Sequence, residues 1–113
     1  MLKSPSTKSP WAVISALSDS DCREILIATS DESVSVSELI DKCEIASATA
    51  YRKVERLVDL SLLDEQIRIR PKGRNCREYR LRVETIHIEM PDQPDPDMNV
   101  SCTITGDESI EDQ

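Results

Sequence analysis

Apolar positions change their period along this chain, and the change divides it. From Trp11 to Leu60 they recur every three or four residues, and from Leu63 onward they alternate. Within the first region, Ala50, Val54, Leu57 and Val58 fall at i, i+4, i+7 and i+8, one face of an α-helix. Just upstream, Ser35-Val36-Ser37-Glu38 has the spacing of a capping box, and Leu39, Ile40 and Cys43 follow as an apolar stripe. Ser35 to Leu60 therefore predicts two helices joined by a tight turn. Before them, Ala12, Val13, Ile14 and Leu17 predict a first helix starting near Pro10 or Trp11. Ser18-Asp19-Ser20 is N-cap chemistry for a second helix from about Ser20 to Thr29, and Val34 reads as a short strand ahead of the Ser35 cap.

The alternating region predicts hairpins. Leu63, Gln66, Ile67 and Ile69 precede the turn-forming cluster Pro71-Lys72-Gly73-Arg74-Asn75, after which Tyr79, Leu81 and Val83 alternate with Arg80, Arg82 and Glu84. Ile86, Ile88 and Met90, then Val100, Cys102 and Ile104, alternate on either side of a Pro/Asp-rich connection and read as a second hairpin. The expected fold class is α+β, mainly α: a winged helix-turn-helix of three to four helices plus a β-hairpin wing, with an extra C-terminal β-hairpin. The expected organisation is a disordered arm over 1–10, the winged helix-turn-helix domain over 11–84, the hairpin extension over 85–105 and an acidic tail over 106–113.

Charge sharpens this picture. The 113 residues carry a net charge of −8, which by itself argues against a nucleic-acid partner. Between Ser47 and Arg82, however, ten Lys or Arg stand against five Asp or Glu, a local +5. Thr49, Arg52, Lys53 and Arg56 give the second helix of the pair a polar, largely cationic side. Seven of the fifteen positions from Arg68 to Arg82 are basic. A short helix, a turn and a helix with one apolar and one basic side is the arrangement that major-groove reading requires. With a recognition helix at about 47–59, Thr49 and Arg52 are the candidates for base edges. Ser47, Tyr51, Lys53 and Arg56, with Arg70, Lys72, Arg74 and Arg77 on the wing, are the candidates for phosphate. The bland alternative is a solvated basic face on a winged helix that contacts protein rather than DNA.

Other chemistries find little support. One histidine and scattered acids offer no catalytic constellation, and Gly73 and Gly106, the only glycines, build no phosphate-cradling loop. The chain reads as no enzyme. Cys22, Cys43, Cys76 and Cys102 are widely spaced without a C-x-x-C pair, so neither metal nor cofactor is expected, and Cys22 and Cys43 read as small buried apolar residues. No apolar run is long enough to span a bilayer, and the first ten residues do not resemble a secretory signal. A cytoplasmic chain with reduced thiols is expected.

The order helix, helix, helix-turn-helix, hairpin resembles the ArsR-like winged helix-turn-helix regulators, most of all the small acidic versions of halophilic archaea. The resemblance spans about Trp11 to Val83. It rests on ALSDSDCREIL (Ala16 to Leu26), VSELIDKCEIASATAYRKVERLVDLSLLDE (Val36 to Glu65) and EYRLR (Glu78 to Arg82). It implies a sequence-specific transcriptional regulator that binds double-stranded DNA. A homodimer is expected because two-fold symmetry matches palindromic half-sites, with its contact at the first helix around Trp11 and Ile14 or at the second hairpin around Ile86 to Met90. The chain departs from the pattern where Glu44 replaces the usual turn glycine, where Ala46 occupies the recognition-helix N-cap, and where Ser61 stands at a position that is often glycine. The Cys-x-Cys metal-sensing motif of some members has no counterpart, so metal sensing is not carried over, and the resemblance does not say which small-molecule effector, if any, is bound.

Overall fold

The computed structural model describes residues 6–7, 9–69, 71, 73, 75–93, 97 and 100–106. In chain order these form β1 (Ser6–Thr7), α1 (Pro10–Ser18), α2 (Ser20–Ala28), β2 (Val34–Ser35), α3 (Val36–Cys43), α4 (Ser47–Asp59), β3 (Leu63–Arg68), β4 (Cys76–Leu81), β5 (Val83–Glu89) and β6 (Ser101–Gly106). Two antiparallel three-stranded sheets result, ordered β2-β4-β3 and β1-β6-β5. The fold is a winged helix-turn-helix with a second hairpin, as the alternating pattern predicts.

Local chemistry starts and stops each helix. Ser9 caps α1 through its side chain, with Pro10 at the first helical position, where a missing N–H costs nothing. Asp19 caps α2 by accepting from the Cys22 amide at 3.0 Å. At α3 the predicted capping box forms in full. The Glu38 amide donates to Ser35 Oγ at 3.2 Å, and the Ser35 amide donates to Glu38 Oε1 at 2.8 Å. Glu44 then closes α3 in the left-handed region at φ 54°, the conformation expected where the turn glycine is missing. Helix α4 ends in a Schellman arrangement: the Leu62 amide reaches Leu57 O at 2.9 Å, the Ser61 amide reaches Val58 O at 2.9 Å, and Ser61 sits at φ 65°.

One core serves the helices and both sheets. Val13 and Ala16 of α1, Cys22 and Ile25 of α2, Leu39 of α3 and Ala50, Val54 and Leu57 of α4 are buried together with Leu62, Leu63 and Tyr79. Cys102 and Ile104 of β6 join the same cluster, so the second hairpin is part of the folded body. Its strands pair Ile86 with Ile104 and Ile88 with Cys102. The wing strands pair Leu63 with Leu81 and Glu65 with Tyr79, and β2 adds Val34 against Tyr79. A backbone bond from Leu81 N to Thr29 O at 3.0 Å ties the wing to the end of α2.

Two boundaries differ from expectation. Ser6 and Thr7, placed by sequence in a disordered arm, pair with Ile104 and Thr103 as the edge strand of the second sheet. A two-residue strand rests on backbone pairing alone and leaves no apolar pattern to read. Val83 and Glu84, read as the end of the wing, instead open β5. The break falls at Arg82, whose amide donates to Leu62 O at 3.0 Å, outside either sheet's strand pairing. The expected acidic tail lies outside the described residues, apart from Gly106, which ends β6.

Candidate nucleic-acid interface

Helix α4 is held from three sides. Its Ala50, Val54 and Leu57 face the core, and Lys53 lies on the flank toward α2. Lys53 Nζ stands 2.7 Å from Asp19 Oδ2, with only 13% of its side chain exposed. On the same flank, Arg56 Nη2 donates to Ser15 Oγ of α1 at 2.9 Å. Both cations, expected at phosphate, also hold contacts within the chain. They brace α4 against α1 and α2. The cause is helical phase: one residue turns the side chain by about 100°, so Lys53 points inward where Arg52 points out.

The outward side of α4 begins at Ala48 and continues through Tyr51, Arg52 and Glu55, all exposed. Tyr51 leaves 59% of its surface open. Among the described residues Arg52 has no carboxylate partner. Thr49 is half-buried at the border between this side and the braced flank. Ser47 is exposed at the helix start. There Ala46 provides no side-chain cap, so α4, unlike α1 to α3, begins with no side chain on its first amides. Such amides, with the positive end of the helix dipole, favour an anion. Tyr51, Arg52 and Ser47 are thus brought together on one exposed end, and Lys53 and Arg56 are excluded from it. Ala48 and Glu55 complete that surface. Sequence reasoning missed both because it took charge as its guide, although i, i+3, i+4, i+7 spacing from Ala48 through Tyr51 and Arg52 to Glu55 would have found them.

Between this side and the wing lies an open cleft of about 1230 Å³. Its lining carries Glu38, Glu55, Asp59 and Glu65 against Arg52 and Arg77. Four carboxylates against two guanidinium groups make the depth of the cleft unfavourable for phosphate, leaving the Ser47 end of α4 as the favourable approach. The wing is also less cationic than its sequence. Arg68 Nε pairs with Glu78 Oε2 at 3.2 Å, Arg77 Nε with Glu65 Oε2 at 3.3 Å, and Arg82 Nε lies 3.7 Å from Asp64 Oδ1. Arg77, a candidate phosphate ligand, remains largely exposed beside its partner. The candidates Arg70, Lys72 and Arg74 lie outside the described residues. Gly73 between them takes φ 102°, a conformation that glycine tolerates and other residues rarely adopt.

Ionisation follows these contacts. The Lys53 ammonium, then the Cys22 thiol, hold the Asp19 carboxyl down from 3.8 to about 2. Burial, reinforced by Asp19, pushes the Cys22 thiol up to about 11, and burial likewise raises Cys43 and Cys102. Such thiols are poor nucleophiles and poor ligands at neutral pH. Cys22 is fully buried, as its expected role as a small apolar residue requires, while Cys43 is half-buried. Among the described residues no group of three or more His, Cys, Asp or Glu is placed to hold a metal, and no helix is long and apolar enough to cross a membrane.

A braced helix set in a helix-turn-helix, followed by a three-stranded wing sheet, defines a winged helix-turn-helix protein, an architecture of DNA-binding regulators. Comparison with known families agrees: residues 17–66, from the end of α1 through α4 into β3, match the family model of a helix-turn-helix domain. No curated protein matches the chain.

Proposed function

We propose that the chain is a sequence-specific, DNA-binding transcriptional regulator of the ArsR-like kind, resembling the small acidic members of halophilic archaea. It acts as a homodimer, with α4 in the major groove and the wing along the backbone. The observation that carries this reading is the exposed end of α4. Arg52 projects from it with no carboxylate partner among the described residues, beside Tyr51 and above the uncapped amides at Ser47. Arg52 is positioned for a bidentate bond to guanine O6 and N7, and Glu55 one turn on is an acceptor for a cytosine amino group. The Ala48 methyl, and Thr49 at the border, suit a thymine methyl. Ser47, Tyr51 and the wing cations Arg70, Lys72, Arg74 and Arg77 hold phosphate and set register without reading sequence.

One observation favours a second reading, a winged helix used for protein contact. Three of the wing arginines are already paired with carboxylates, and the cleft lining is acidic. Binding-site selection followed by gel shifts at several salt concentrations separates the two. DNA reading gives an enriched site whose affinity falls steeply with salt. Failure to enrich any site, with no shift at low salt, would assign the surface to protein.

A further inference from the structure

The second sheet ends on an open edge. In the order β1-β6-β5 one edge is the two-residue β1, and the other is the seven-residue β5, which no described residue pairs on its outer side. Val83 to Glu89 carries no lysine or proline to discourage pairing, and its only formal charges are the carboxylates Glu84 and Glu89. Its exposed residues are mostly polar, Glu84, Thr85, His87 and Glu89, but two apolar side chains are exposed among them: Ile88 is 37% open, and Met90, one residue beyond the strand, is 56% open.

We infer that β5 is the homodimer interface, pairing antiparallel with β5 of a second copy about a two-fold axis through Ile88. This rests on the dimer reading above and specifies its surface. The occupant is chosen by self-complementarity. With Ile88 opposite its own symmetry mate, His87 faces the partner's Glu89 and Glu89 faces the partner's His87. Ile86 then meets the partner's Met90. Residues on one face of a strand alternate, so both carboxylate–imidazole pairs lie on the polar face and all the apolar pairs on the other. His87 Nε2 already lies 3.5 Å from Glu89 Oε2 within one chain, so the imidazole and carboxylate share that polar face. Shifting the centre by one residue to His87 keeps an apolar pair, Ile86 against the partner's Ile88, but sets imidazole against imidazole, Glu89 against Thr85 and Met90 against Glu84, so the charge match is lost. Pro91, without an N–H, ends the ladder. The product is one six-stranded sheet across the dimer, whose exposed outer edges are the two short β1 strands.

The test uses the full chain without DNA, so it stands apart from whether DNA is bound. Cys43→Ser and Cys76→Ser remove the two half-buried thiols, and Ile88→Cys is added in one protein and Thr85→Cys in another. Sedimentation gives the mass, and a short bifunctional thiol reagent reports proximity. Directly opposed Cβ atoms lie about 5 Å apart, whereas two Thr85 positions in this register are six residues, about 20 Å, apart. The expected result is a doubled mass, with bridging of Ile88→Cys and at least tenfold less bridging of Thr85→Cys. A monomeric mass overturns both this interface and the dimer. A dimer in which Ile88→Cys does not bridge overturns the interface alone, as does equal bridging at both positions.

Discussion

Replacing Lys53 by Met removes the ammonium from Asp19 while keeping the stem that packs between α4 and α2. The size of the effect follows from the carboxyl it leaves behind. A fall of the Asp19 value from 3.8 to about 2 corresponds to at most about 2.5 kcal/mol. Cys22 supplies part of that fall, and 28% of the Asp19 side chain is open to screening solvent. A loss of about 1–2 kcal/mol at neutral pH is therefore expected, more than an exposed pair and less than a fully buried one. The folded-state value lies below the unfolded one, so the stabilisation is present above about pH 4 and is lost as pH falls toward 2. Urea unfolding followed by circular dichroism should show wild type and Lys53→Met separated at pH 7 and converging below pH 3. Adding Asp19→Asn, which retains a capping side chain, should cost little more in the Lys53→Met background. DNA affinity at several salt concentrations completes the test, since a braced lysine leaves the salt slope unchanged. A stability change under about 0.3 kcal/mol, together with a slope reduced by about one unit, would return Lys53 to phosphate and refute the bracing argument.

Ser61→Gly should stabilise the fold by about 0.5–1 kcal/mol in urea melts, because a left-handed residue with a Cβ carries a strain that glycine relieves at some entropic cost. Ser35→Ala should destabilise by about 1 kcal/mol through loss of the α3 capping box. The Ser35 amide, which alanine keeps, does most to hold the Glu38 carboxyl below its usual value, and the hydroxyl adds to it, so only the hydroxyl's smaller share of this difference should shrink as the medium is acidified through the carboxylate range. Arg52→Ala should cost about 1–3 kcal/mol on a selected duplex and much less on a scrambled one, and Glu55→Ala should relax preference at a different base pair of the same half-site. Arg74→Ala should weaken both duplexes alike and lower the salt slope by about one unit.

What the sequence revealed was local. Helical phase at Ala50, Val54 and Leu57, the Ser35–Glu38 box and the alternation after Leu63 each involve residues within one turn or one strand, and each predicts the observed element. What the sequence did not reveal joins distant residues. Asp19 and Lys53 lie 34 positions apart, and Ser15 and Arg56 lie 41 apart, so nothing in the spacing announces that these two cations of α4 hold contacts with α2 and α1. Counting charge cannot separate Arg52 from Lys53, neighbours in sequence that point to different sides. The pairing of Ser6–Thr7 with β6 crosses nearly the whole chain and carries no apolar signature.

The same distinction bears on how an acidic chain can present itself to DNA. The excess of cations between Ser47 and Arg82 is partly spent inside the protein: Lys53 on Asp19, Arg68 on Glu78, Arg77 on Glu65 and Arg82 beside Asp64. These pairs place α4 and stiffen the wing, and they leave the approach surface less positive than the count suggests. A protein that neutralises fewer phosphates has a shallower salt dependence and a weaker non-specific hold. On the proposed reading, discrimination then depends more on the few groups proposed to reach base edges, Arg52 first among them, and on the rigidity with which α4 is held. Bracing is thus coupled to recognition without touching it. Loosening Lys53 should reduce affinity for a selected site by a larger factor than for random DNA, while the salt slope stays as it was.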